Sequence, residues 1–313
     1  MKIGVLGATG FLGSYFLRYL VSQSRYSIRA LTRTPPSRLG YDLPGIEWSH
    51  GDLNSRADCS KFIENLDFVF HFAHVNTPLT SSRDTLSDAH MNLVPTLNLL
   101  EAVRSSGRGV RIVYASSGGA VYGRVTAQVP IKESELCNPI SSYGIQKLMA
   151  EHYLRLFSER SEIYATVVRI SNPYGVLLPP DRTQSLIGVS ASRILRGLPV
   201  FVYGSLNSIR DFLHLDDMCS ALECCLNYTP RFGLINIGTG LGTSVVDVLA
   251  MLERELGPFA KVSSSPELDL SGLPDWNVLD VAKARVDLGW SPRIALEDGV
   301  ARMCQLAIKQ KPK

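Results

Sequence analysis

The sequence contains no run of 18 apolar residues, so no membrane span is expected. It has no CxxC pair and no Cys/His cluster at metal-ligand spacing, which argues against a metal centre. Its six cysteines, at 59, 137, 219, 224, 225 and 304, are therefore expected to be buried thiols. A chain of 313 residues with no secretory signal ahead of its first apolar run does not read as a disulfide-stapled scaffold. A cytoplasmic, soluble protein is expected. Excess charge of one sign is lacking as well. The formal net charge is +3 and the basic residues are scattered, apart from Lys309-Gln310-Lys311, which reads as a frayed tail. Nucleic acid is therefore not an expected partner, whereas a mild basic excess suits an anionic small molecule. Internal repeats and low-complexity segments are also missing.

What is present is alternation. Short apolar runs at Ile3–Leu6, Ser27–Leu31, Phe68–Phe72, Val110–Ala115 and Ala165–Ile170 are nearly continuous, as strands buried on both faces should be. Amphipathic stretches lie between them at Phe11–Ser22, Met91–Ser105 and Tyr143–Ser158. This order predicts an α/β fold with a doubly wound parallel sheet, its ligand outside the carboxyl ends of the strands. After about residue 172 proline-rich loops, helices near Gln184–Arg196 and Ser244–Leu256, and short strands at Pro199–Tyr203 and Leu234–Ile237 suggest a smaller lobe. The expected division is a dinucleotide-binding domain over 1–171, with segments near 210–240 returning to it, and a substrate lobe over 172–313.

Gly7-Ala8-Thr9-Gly10-Phe11-Leu12-Gly13 follows the first strand and opens the first helix. Gly7 permits a tight turn, Gly10 lets backbone N–H groups approach a pyrophosphate, and Gly13 lets the helix pack close to the strand. Gly7, Thr9, Gly10, Phe11, Leu12 and Gly13 are thus candidate dinucleotide contacts, aided by the helix N-terminus. After the second strand stands Thr32-Arg33, with no carboxylate to bind a ribose 2′-hydroxyl. A guanidinium fork suits a 2′-phosphate, which favours NADP over NAD; a solvated surface arginine is the plain alternative. Asp52, followed by Leu53, is placed to accept from the adenine amino group or simply to shape a turn.

Tyr143 and Lys147 stand four residues apart, on one face of a helix. A phenol with an ordinary pKa of about 10 is a poor base, and a neighbouring ammonium favours its phenolate. Such a pair can take a proton from a substrate hydroxyl, or return one to a carbonyl.

With these motifs the chain resembles an extended short-chain dehydrogenase/reductase of the nucleotide-sugar epimerase/dehydratase family. The resemblance rests on Gly7–Gly13, His71-Phe72-Ala73, Asn92, Ser116–Gly123, Tyr143–Lys147, Ser171–Gly175, Arg210–Asp217, Asn236–Gly240 and Leu288–Pro292. It implies that Phe72 and Ala73 border the cofactor, and that a Ser or Thr three places before Val121 hydrogen-bonds the reacting oxygen. That position is Gly118, so Ser117 is the nearest hydroxyl and the candidate third catalytic residue. A buried strand-end serine is the alternative. Ser117, Gly118 and Tyr143 are expected beside the substrate, with Asn172 at the sugar and Arg210 at a phosphate of a nucleoside diphosphate. For these last two, a turn at Asn172-Pro173 and an Arg210–Asp211 ion pair are the plain readings. A further family arginine is expected just before Leu273-Pro274, but Ser264–Asp269 supplies none.

The resemblance implies a C4 epimerase of a nucleoside-diphosphate sugar. An NADPH-dependent 4-ketoreductase is the alternative that Thr32-Arg33 favours. A 4,6-dehydratase is disfavoured, because the family's Asp and Glu before Val121 are here Gly119 and Ala120. A catalytically silent binding protein on the same fold is the third reading. Homodimerisation through Met91–Ser105 and Tyr143–Ser158 is also implied.

Overall fold

A computed structural model describes residues 1–34, 43–77, 80–81, 84–161, 163–263 and 274–309. The proposed loss of an arginine over Ser264–Asp269 lies outside the described residues, as does the chain end from 310.

In chain order the elements begin β1 (Lys2–Leu6), α1 (Phe11–Ser22), β2 (Ser27–Thr32), β3 (Ile46–His50), α2 (Arg56–Phe62), β4 (Phe68–His71), α3 (Thr85–Ser106) and β5 (Arg111–Ser117). They continue with α4 (Gly118–Val121), α5 (Ser142–Arg160), β6 (Tyr164–Ile170), β7 (Asn172–Tyr174), α6 (Leu186–Leu195), β8 (Val200–Val202), β9 (Ile209–Arg210), β10 (Phe212–His214) and α7 (Leu215–Cys224). Last come β11 (Phe232–Ile237), β12 (Thr243–Ser244), α8 (Val245–Leu256), β13 (Lys261–Ser263), β14 (Trp276–Asn277), α9 (Ala282–Leu288) and α10 (Leu296–Lys309).

The chain divides into two compact units. The first comprises Met1–Ser117, Ser142–Arg169 and Leu222–Ile235; the second comprises Gly118–Ser141, Ile170–Ala221 and Asn236–Lys313. Of the segments near 210–240 expected to return to the first domain, the one that does so is Leu222–Ile235. The expected boundary at 171 differs from this division at Gly118–Ser141. The reason is local: Asn277 Nδ2 donates to the Gly118 carbonyl at 2.9 Å, and Trp276 Nε1 to the Val129 carbonyl at 3.1 Å. The Ile131 amide donates to the Val278 carbonyl at 2.8 Å. These bonds fasten the segment to residues 276–278.

The seven-stranded sheet has the order β11-β6-β5-β4-β1-β2-β3, and the β1–β2, β1–β4, β2–β3 and β4–β5 pairings are all parallel. This is the doubly wound Rossmann arrangement expected from the alternation. Strand order reverses between β1 and β4, the point where such sheets bind ligands. Side chains alternate across the sheet as strand geometry requires. Val69 joins a core with Leu99, Leu100 and Val103 of α3 and Ala150 and Leu154 of α5. Phe70, next in sequence, packs on Phe16 of α1 with ring centroids 4.5 Å apart. Each fully buried side chain of this size stabilises the fold by roughly 1.5–3 kcal/mol.

α3 starts at Thr85, six residues before its apolar periodicity. Asp84 caps it, accepting from the Ser87 amide at 3.0 Å, so a polar first turn begins the helix. Pro95 lies within it, and Gly107 ends it in the left-handed conformation.

In the second unit β7 pairs with β10 and β8 with β13, while β9 lies between β12 and β14. Ile187 and Ala191 of α6, Val248 and Leu252 of α8, and Val300 and Met303 of α10 share one core. None of the six cysteines is in a disulfide. Cys59, Cys219, Cys225 and Cys304 are buried as expected, but Cys137 and Cys224 are only half-buried. No helix among the described residues is long and apolar enough to cross a membrane.

Candidate active site

The turn after β1 is shaped by close approach. Gly7 has φ +73°, and a Cβ there would lie 2.6 Å from the Ala73 amide nitrogen at the end of β4. A Cβ on Gly13 would lie 2.2 Å from the Gly7 carbonyl oxygen. Any side chain at either position collides with backbone, so the turn needs both glycines. The Gly10 amide donates to the Gly7 carbonyl at 2.9 Å. Gly10 is also the N-cap of α1, where no side chain caps the helix and no acidic residue occupies the first turn. Thr9 and Gly10 are exposed, and Phe11 and Leu12 half-buried. A tight glycine turn feeding an uncapped helix N-terminus at the switch point fits the pyrophosphate of a dinucleotide.

Other cofactor candidates divide. Arg33 is exposed. The buried Thr32 hydroxyl instead donates to the Thr34 carbonyl at 2.7 Å, so Thr32 braces the turn. Asp52 shapes its own turn: Oδ1 accepts from the Asn54 amide at 2.9 Å, and its backbone amide donates to Asp58 at 2.8 Å. Leu53 is buried, and its carbonyl accepts from Asn98 at 3.0 Å. The Phe72 amide extends the β4–β1 pairing by donating to the Leu6 carbonyl at 3.0 Å, which brings Ala73 against Gly7.

One residue beyond Ala73 is His74, which sequence reading passed over. Its ring meets Tyr143 edge-on, with centroids 4.6 Å apart. Burial, with Lys147 and then His71 adding repulsion, holds its pKa down at about 2, so the imidazole is neutral. The adjoining loop is pinned. The Val75 amide donates to Asn92 at 2.8 Å, and Asn76 donates to Asp88 at 2.9 Å. The buried Asp88 carboxylate also accepts from Asn92 at 2.8 Å and from Ser142, the residue before Tyr143. A lone histidine carries no periodic or motif signal. Asn92, which does belong to a motif, is where this network was legible.

Tyr143 is half-buried at the start of α5, and its amide donates to Ser81 Oγ at 2.9 Å. Its phenol shares a hydrogen bond with Ser117, which lowers its pKa, but burial is the larger effect and pushes it up to about 12. The expectation that Lys147 brings the phenol toward neutral pH is therefore not met by the chain's own groups. Lys147 is 3% exposed. It donates to the Ala115 carbonyl at 2.7 Å, with Nζ 4.7 Å from the Tyr114 ring centroid and 5.8 Å from that of Tyr143. Burial lowers its pKa to about 7, against the opposing pull of Glu151.

The glycine at 118 has a structural reason. A Cβ there would lie 2.6 Å from Leu279 Cδ1 and 2.9 Å from Cδ2. The hydroxyl beside Tyr143 comes from Ser117, the last residue of β5.

In the second unit, Asn172 of β7 donates from its side chain to the Asp211 carbonyl at 3.0 Å, which ties it to β10. Arg210 does not pair with Asp211. It donates to the Ile209 carbonyl at 3.1 Å. The Asp211 carboxylate instead accepts from the Thr239 amide and hydroxyl and the Gly240 amide. Burial lowers the Arg210 pKa to about 10, with Asp275 opposing. Gly118, Asn172 and Arg210 thus belong to the second unit, and Ser117, Tyr143 and Lys147 to the first.

Comparison with known proteins agrees with this geometry. The profile of the NAD dependent epimerase/dehydratase family matches residues 3–238. A dTDP-4-dehydro-6-deoxyglucose reductase of Escherichia coli is 29% identical, covering 96% of each chain. The crystal structure of UDP-glucose 4-epimerase with UDP-glucose from Thermotoga maritima superposes with a TM-score of 0.88 at 27% identity, covering 99% of both chains. That of UDP-glucuronic acid 4-epimerase from Bacillus cereus, with UDP-glucuronic acid and NAD, has a TM-score of 0.85 at 26% identity, again covering 99% of both. The chain belongs to the NAD dependent epimerase/dehydratase family, among the enzymes of the extended short-chain dehydrogenase/reductase class.

Proposed function

We propose that the chain is a nucleotide-sugar C4 epimerase working through a 4-keto sugar. The observation that carries this reading is the continuity from Gly7 to Tyr143: Ala73 abuts the glycine turn, and the adjoining His74 packs on the phenol. Gly7, Gly10 and Gly13 would hold a dinucleotide, whose nicotinamide would take a hydride from C4 and return it. Tyr143 takes the C4 hydroxyl proton and gives it back to the ketone oxygen. Ser117 holds that oxygen in register with the phenol. The chain's own groups leave the phenol protonated, so the phenolate would need the positive charge of an oxidised nicotinamide added to that of Lys147. Asn172 and Arg210 are assigned to the sugar and the diphosphate. The half-buried Arg210 supports this, as its guanidinium has no carboxylate partner within a salt bridge among the described residues. The epimerases of Thermotoga maritima and Bacillus cereus support the reaction class.

A second reading, an NADPH-dependent 4-ketoreductase, draws on the exposed Arg33 and on the reductase of Escherichia coli. Arg33 favours a 2′-phosphate, whereas NAD stands in the Bacillus cereus epimerase. Identifying the cofactor released from purified protein by heat separates the two. Retained NAD is expected for epimerisation. An empty protein that oxidises NADPH only with a 4-keto sugar nucleotide would replace it with reduction.

A homodimer is proposed as well. Met91 and Val94 of α3 and Ile145 and Met149 of α5 are exposed apolar residues on two helices that pack together.

A further inference from the structure

The face of α5 that carries Tyr143 and Lys147 continues one turn further, to Glu151. Spacing of i, i+4 and i+8 puts all three side chains in one row. They meet three consecutive residues of β5. Tyr143 hydrogen-bonds Ser117, Lys147 donates to the Ala115 carbonyl, and Glu151 accepts from the Ser116 hydroxyl. Arg169 of β6 grips the same carboxylate, with Nη2 2.6 Å from Oε2 and Nε 3.1 Å from Oε1. Glu151 and Arg169 are 4% and 3% exposed. A buried ion pair gains little over a well-packed apolar pair of similar volume, so stability alone does not account for it.

We infer that Glu151 is a positioning residue: braced by Arg169 and Ser116, it fixes the catalytic face of α5 against β5 and supplies negative charge beside the Lys147 ammonium. The other groups around that ammonium do not do this. His71 and His74 are kept neutral by burial, with pKa values of about 3 and about 2. Burial likewise keeps Tyr114 and Tyr143 neutral, the first well above the ordinary phenol range. Arg169 is positive and is spent on Glu151. Glu151 therefore opposes the burial that would otherwise strip Lys147 of its proton. Without it, the residue proposed to stabilise the phenolate becomes a neutral amine at neutral pH.

The consequence for turnover rests on the proposed acid/base roles, so the test reads Lys147 directly. Lysine labelled with carbon-13 at Cε is incorporated, the Lys147 signal is assigned by its loss in K147M, and its titration is followed by NMR. Wild type is expected to titrate near 7. Glu151→Gln is expected to move the midpoint down by about one pH unit or more. The pH above which kcat falls should move with it. Identical midpoints in wild type and E151Q would overturn the inference, whatever happens to stability. Should E151Q fail to fold because Arg169 is left uncompensated, E151Q/R169M is compared with R169M, which differs from it only in the Glu151 charge; a lower midpoint is expected in the double variant, and equal midpoints would contradict the inference. A shifted midpoint in a protein that epimerises nothing would leave this inference standing and remove the proposed reaction. An unshifted midpoint in an active epimerase would do the reverse.

Discussion

His74 packs edge-on against Tyr143 at 4.6 Å, with an interplanar angle of 77°. It is one residue beyond Ala73, whose amide nitrogen would lie 2.6 Å from a Cβ on Gly7. Two adjacent residues at the end of β4 therefore touch both motifs on which the sequence reading rests, the glycine turn and the tyrosine.

Tyr143→Phe removes one oxygen and keeps the ring that His74 packs on. Turnover should fall by about 10²–10⁴-fold, the usual contribution of a general acid/base, with dinucleotide binding retained. Steady-state kinetics beside a cofactor fluorescence titration checks both. Near-normal turnover would remove the acid/base assignment.

Gly118→Ser puts the family's hydroxyl back at its usual place. With Leu279 Cδ1 2.6 Å from the new Cβ, the substitution should destabilise the protein by about 1–3 kcal/mol, an overpacking cost. It should not raise turnover. Ser117→Ala, by contrast, should lower kcat with little change in thermal midpoint. A G118S variant that is both stable and faster would show that the hydroxyl belongs at 118.

How far the site was legible depended on where its information sits. The α1 boundaries, Phe11–Ser22, follow from a glycine turn and a local apolar pattern. The start of α3 did not, because its first turn is polar and set by the Asp84 cap. Gly118 looked like a gap because its cause, Leu279, lies far along the chain. The same distance hid the attachment of Gly118–Ser141 to residues 276–278. Tyr143 and Lys147 are readable from spacing, but the balance of their protonation is not: burial, which spacing does not encode, outweighs the Ser117 hydrogen bond at Tyr143 and the Glu151 charge at Lys147. The Thr32-Arg33 pair suggests a 2′-phosphate contact, whereas the Thr32 hydroxyl turns to the Thr34 carbonyl.

Lys147 has a pH signature in stability. Burial lowers its pKa from 10.5 to about 7. Between those values the unfolded chain holds more protons at this site than the folded chain, so its contribution to stability rises with pH across that window and is least favourable below about 7. Lys147→Met should therefore raise Tm at pH 6 relative to wild type, and the gap should narrow by pH 9. Turnover should be lost throughout. A Tm below wild type by the same amount at every pH would contradict the burial account.

Met149, exposed on α5, should lie within the proposed dimer interface. Met149→Glu would place a charge in the centre of an apolar contact. Analytical ultracentrifugation should then show a dimer for wild type and a monomer for the variant. A monomeric wild type would remove the interface.

Epimerisation through a 4-keto sugar requires that the hydride taken from C4 return to C4. UDP-glucose and dTDP-glucose deuterated at C4 can be incubated with the purified protein and cofactor in ordinary water, and the sugars followed by NMR. Epimerisation predicts a C4 epimer that keeps deuterium at C4, with no net change in oxidised or reduced cofactor. Loss of the label to solvent, or stoichiometric cofactor consumption in place of interconversion, would contradict it.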